Sequence, residues 1–139
     1  MVELVVVLAI VALLIGLAIP NLLVNRKQAR EMETKLNLTN GARVVAALQP
    51  ELGSYTDDVA TLEAASPGLD FSGAEPESIH VVVGDVDPGD AGQVLLYGRS
   101  VTGSWFGLRL VLTGPDAGRH TCIGSEADMT LEACSGLTW

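Results

Sequence analysis

From Leu4 to Leu23 the chain carries no charged residue, and Glu3 stands at the lip of that run. A segment apolar on every side has two places to go, a bilayer or a protein core. Counted through Val24, the run reaches the roughly 20 residues that cross a bilayer as a helix. Pro20 and Asn21 lie inside it. Proline removes a backbone donor and kinks a helix, but a membrane helix tolerates that loss. A cleaved signal peptide fits poorly, because no basic residue precedes the run and no small-residue cleavage site follows it. A plain membrane anchor and a helix that moves from bilayer to protein core both fit. Glu3 separates them, since a buried carboxylate is costly unless paired. It either snorkels at the interface or takes a cation from another subunit, and the sequence leaves both readings open.

Helical pattern continues past Leu23. Ala29, Met32 and Leu36 recur at helical spacing, and Leu38, Ala42 and Val45 continue on a shifted stripe. Arg26, Lys27, Arg30, Glu31, Glu33 and Lys35 supply a polar face. Gly41 weakens the helix, and Pro50 is expected to end it near Gln49. Such a helix is about 70 Å long. Residues 1–24 form its apolar half, and the amphipathic half, 25–49, packs on a domain from which the first half projects.

Glu3, the apolar run and a proline seventeen residues after the glutamate together resemble the N-terminal assembly helix of type IV pilins and the related pseudopilins. The resemblance is carried by residues 1–30 and is only architectural over 51–139. It implies a filament subunit, with Glu3 pairing with a neighbour's N-terminus and the helix interrupted between Gly16 and Pro20. It also implies residence in the cytoplasmic membrane before assembly, then a surface filament of identical subunits serving adhesion, motility or DNA uptake. A pilus assembly machinery and a prepilin peptidase are the implied partners. Family chains begin with phenylalanine four residues before the glutamate. The expectation is therefore a mature chain two residues longer, with an N-methylated amine left by removal of a leader. Arg26, Lys27 and Arg30 would by themselves hold the following domain in the cytoplasm; a basic leader restores the outward orientation. The rivals are a pseudopilin of a secretion machine and a membrane-anchored binding domain that never polymerises.

Charge divides the chain. Residues 1–50 hold five basic and three acidic groups, whereas residues 51–139 hold three basic and fourteen acidic ones. So acidic a head repels phosphate, and direct nucleic-acid binding is not expected.

Residues 25–139 read as the globular head. Residues 50–78, rich in Gly, Ser, Pro and acids, form a connecting loop with a turn of helix over Asp57–Ala65. Strands are expected at 78–85, 93–100, 104–114 and 118–124 within a meander over 79–124. The short connections favour antiparallel pairing. The predicted class is α+β, a long N-terminal helix with a sheet of about four antiparallel strands on its C-terminal half.

Cys122 and Cys134 close the segment 122–139 by a disulfide if the head is exported. With His120 they also suggest zinc, but no fourth ligand is evident. Asp85, Asp87 and Asp90 offer oxygen ligands for calcium, though no closing glutamate follows at a recognised spacing, and a solvated acidic turn is the simpler reading. The glycosylation sequon at Asn37 falls inside the long helix and is read as chance. No nucleophile motif or catalytic constellation is present, so neither an enzyme nor a cofactor is expected.

Overall fold

The computed structural model describes residues 1–74, 76–84, 92–112, 114–136 and 139, with the side chains of 17–21 left out. Asp85, Asp87 and Asp90, the candidate calcium ligands, lie outside the described residues.

Helix α1 runs Val2–Leu52, about 75 Å at 1.5 Å per residue. It outlasts the expected end at Gln49. Pro50 lies inside the last turn and does not end the helix, although it cannot donate the i→i−4 hydrogen bond. The stop comes from Gly53, whose φ of 79° is left-handed and whose N–H donates to the Gln49 carbonyl at 2.8 Å. The backbone of α1 is helical through Gly16 and Pro20 in the single chain, so the expected interruption is not present there; the side chains of 17–21 are not described.

One expected stripe of α1 packs and the other does not. Leu38, Ala42 and Val45 are buried together with Thr34. Met32 and Leu36 are 65% and 56% exposed, and Ala29 is exposed. At about 100° per residue, Leu36 and Leu38 point to nearly opposite sides of the helix. A single sheet covers only one of them. Gly41 allows the close approach: a Cβ there would lie 2.8 Å from Ile79 Cδ1 and 3.1 Å from Leu96 Cδ2.

Helix α2, Val59–Ala65, fills the expected helical turn. Asp58 caps it by accepting from the Thr61 N–H at 3.2 Å, and Leu62 is its buried residue.

Four strands follow, β1 His80–Gly84, β2 Gln93–Arg99, β3 Trp105–Val111 and β4 Gly118–Gly124. They form one antiparallel meander in the order β1-β2-β3-β4. Alternation along each strand gives the sheet two faces. The inner face sets Val94, Leu96, Phe106 and Leu108 against Leu38 and Val45 of α1, with Phe71 and Ile79 completing the core. Gly98 lies on this face too, where a Cβ would stand 2.7 Å from the Ser78 carbonyl oxygen.

The outer face is covered over part of its area by the C-terminal segment. Met129 and Cys134 pack with Leu95 and Cys122. The disulfide Cys122–Cys134 pins that segment to β4, with Cα atoms 5.2 Å apart. It takes both sulfurs that a zinc site beside His120 would need. His120 Nε2 lies instead 2.8 Å from the Asp116 carbonyl oxygen. A 3₁₀ turn, Glu126–Asp128, starts the segment. There the Asp128 carboxylate accepts from the N–H and the hydroxyl of Ser125, both at 2.7 Å.

Candidate assembly surface

The fold leaves half of α1 without a partner inside the chain. Every residue from Met1 to Gly16 is exposed, among them Leu4, Val5, Leu8, Leu13 and Leu14 at 58–66%. Among the described side chains exposure continues over 22–30, and Glu31 is the first to be partly covered. Glu3 stands in the first turn of this bare segment, well away from the acidic head. Among the described residues no helix is long and apolar enough to cross a membrane. The side chains left out at 17–21 divide the described part of the apolar run into 4–16 and 22–24.

Charge collects where the helix leaves the head. Lys27 Nζ lies 3.7 Å from Glu31 Oε1, and Arg30 Nη1 lies 3.6 Å from Glu33 Oε2. Arg30–Glu33 is an exposed pair and Lys27–Glu31 a half-exposed one, both of small energetic value. Glu31 also accepts from Ser104 Oγ at 3.1 Å and Thr102 Oγ1 at 3.4 Å. The turn between β2 and β3 is thereby tied to the point where α1 emerges.

A second apolar surface lies beside the head. Met32, Lys35, Leu36, Thr39 and Trp139 line an open groove of about 290 Å³. Trp139 is fixed there by its indole N–H, which donates to the Cys122 carbonyl at 3.1 Å. Its ring meets Phe106 edge-on at 6.3 Å. Lys35 Nζ sits 4.9 Å from the Phe106 ring centre and 5.7 Å from that of Trp139. The Arg119 guanidinium also lies 5.7 Å from the Trp139 ring, and it donates to Thr39 Oγ1 at 3.1 Å. Two cations thus bracket the tryptophan.

Glu3 and Gly16 are both placed on the bare half of α1, and Cys122 and Cys134 are brought together on the other side of the sheet. Trp139 and Glu31 escape the sequence reading. A terminal tryptophan carries no periodicity, and Glu31 looks like any other charge on a polar helix face. Among the described residues no group of three or more His, Cys, Asp or Glu side chains is placed to hold a metal ion. Comparison with family models, with curated proteins and with solved structures finds no match.

Proposed function

We propose that this chain is a structural subunit that polymerises through its apolar helix half into a type IV pilin-like filament. One observation carries the reading. The exposed apolar surface of residues 2–16 and the Met32 and Leu36 wall of the groove that Trp139 closes lie on one helix. Leu8 and Leu36 are about 42 Å apart along it. The two surfaces cannot cover each other within a chain. A contact between two different patches on successive copies is head-to-tail, and it generates an open helical assembly unless rotation closes it into a ring. Leaving so much apolar surface in water is unfavourable by about 25 cal/mol per Å², so the segment is held in a bilayer until copies replace the lipid. The long helix with a meander sheet on its C-terminal half supports the same reading, because it is the architecture the N-terminal resemblance implies.

On this reading Glu3 sets register. Packing the helices together removes water, and an unpaired carboxylate there is penalised. A neighbour's N-terminal amine is the nearest cation available in every subunit, since the first Lys or Arg of the chain is Arg26. Misplaced subunits strand a buried charge, so the pair acts through specificity more than through net attraction. The partners are then copies of the chain, the cytoplasmic membrane, an assembly machinery and a leader peptidase. The final location is a surface filament, and the role is mechanical and not enzymatic. Glu3→Gln keeps the side-chain shape and removes the charge. In cells making the variant, filaments should become scarce while the head remains folded with its disulfide formed. Normal filament number and length would show the carboxylate to be incidental and favour snorkelling. Short, sparse filaments from the parent chain would instead identify a pseudopilin.

A further inference from the structure

The outer face of the sheet holds a second feature that assembly does not use. His80 of β1 and Tyr97 of β2 are cross-strand partners, and their rings stack at 4.6 Å with 7° between planes. Trp105 of β3 lies 6.0 Å from both rings and is tilted against them. Arg99 pairs across the sheet with Trp105, its guanidinium 5.9 Å from the indole centre. Tyr97 and Trp105 pack on the disulfide cluster beneath the C-terminal segment, so the aromatic platform is held from one side. His80 and Trp105 also line a pocket of about 190 Å³ together with Gly73, Ala74, Arg99 and Glu126. Gly73 is required there. Its φ is +67°, and a Cβ would stand 2.6 Å from His80 Nδ1.

We propose that this pocket is a binding site for a neutral saccharide unit, with the indole of Trp105 as its platform and Arg99 and Glu126 as its polar contacts. The chemistry of the lining selects that class. Arg99 only donates hydrogen bonds and an ionised Glu126 only accepts them. A wholly apolar ligand makes no hydrogen bond to either group, and a ligand of either net charge meets one group of like sign. A pyranose offers a face of C–H groups to the indole and a rim of hydroxyls that donate and accept alike. This inference goes beyond the assembly reading and does not rest on it, because every lining residue belongs to the head.

The test uses the full chain in lipid nanodiscs, free of sugar-based detergent. It is titrated with the methyl glycosides of glucose, galactose, mannose and N-acetylglucosamine at tens of millimolar while the two indole N–H resonances are followed by NMR. At least one glycoside should shift the Trp105 signal saturably and leave Trp139 unmoved. Trp105→Ala should abolish binding of that glycoside. Arg99→Ala and Glu126→Gln, on the exposed rim, should each weaken it about tenfold, the loss of one hydrogen bond to a charged group. The two rim variants keep the test decisive if Trp105→Ala disturbs the fold. An unmoved Trp105 signal with all four glycosides, or full affinity in both rim variants, would overturn the proposal.

Discussion

Ser104 donates a 3.1 Å hydrogen bond to the Glu31 carboxylate and so fastens the β2–β3 turn to α1 at the first of its described side chains to be partly covered. Thr102 reaches the same oxygen at 3.4 Å. The contact marks the border between the half of α1 held by the head and the half that projects. Glu31 is partly exposed and shared with Lys27, so its energetic weight is modest. Glu31→Ala should lower head stability by about 1 kcal/mol or less. It should also raise amide exchange over residues 26–34 without affecting β1–β4, as read by hydrogen exchange on the full chain.

Leu36 and Leu38 should respond oppositely to truncation. Leu38 is fully buried against the sheet, and Leu38→Ala should cost about 2–5 kcal/mol. Leu36 is 56% exposed, and Leu36→Ala should leave thermal unfolding of the head within about 0.5 kcal/mol of the parent. If Leu36 contributes to packing between copies, its effect should appear in filament yield. Equal destabilisation by both variants would place the sheet on the wrong side of the helix.

That pair also shows where sequence reasoning reached its limit. Both leucines fall on apolar stripes of correct period, and periodicity does not say which stripe meets the sheet. The choice was made by Gly41, whose missing side chain admits Ile79 and Leu96, a relationship between residues far apart in sequence. The strands were legible because turn-forming residues separate short apolar runs, and all four were placed to within a few residues. The helix end was misjudged because Pro50 is the more visible signal, whereas Gly53 provides the cap. The groove at Trp139 and the aromatic pocket were not legible. The pocket depends on strand register, which brings His80 to Tyr97 and Arg99 to Trp105.

Two glycines predict opposite outcomes. Gly98→Ala would drive a Cβ to 2.7 Å from the Ser78 carbonyl oxygen, a backbone atom that cannot rotate aside. It should cost about 1–3 kcal/mol and weaken the junction of β1 with β2. Gly16 has open space around its Cβ position. Gly16→Ala should therefore raise the helicity of α1 by the propensity difference of about 1 kcal/mol, with the head unchanged. Circular dichroism and thermal unfolding of the two variants check both. If the filament requires an interruption at Gly16–Pro20, Gly16→Ala should also slow assembly.

Three head carboxyls lie below their ordinary value because they accept hydrogen bonds. Asp58 is held down by the Thr61 hydroxyl and N–H, Asp70 by the Ser72 hydroxyl and N–H, and Asp128 by the Ser125 N–H and hydroxyl. For a lowered carboxyl the folded state binds fewer protons than the unfolded chain in the acid range. Its stabilisation is complete above the unfolded value and is lost as pH falls through the folded one. Asp128→Asn should thus be less stable than the parent at neutral pH and equal to it near pH 2. Comparing variant with parent largely cancels the change in overall self-repulsion as acid takes the chain from a net charge of −9 through neutrality to a positive charge. A stability difference that stays constant with pH would contradict the assignment.

The central claim is that residues 2–16 are buried by copies of the same chain. Cryo-electron microscopy of filaments sheared from the surface of the organism that makes this protein tests it most directly. The account predicts a helical polymer containing this chain, with the Val2–Gly16 segments packed along the axis, Glu3 beside a neighbour's amino terminus and the four-stranded heads outside. Recovery of the chain only as monomers in the membrane fraction, with no filament containing it, would contradict the account.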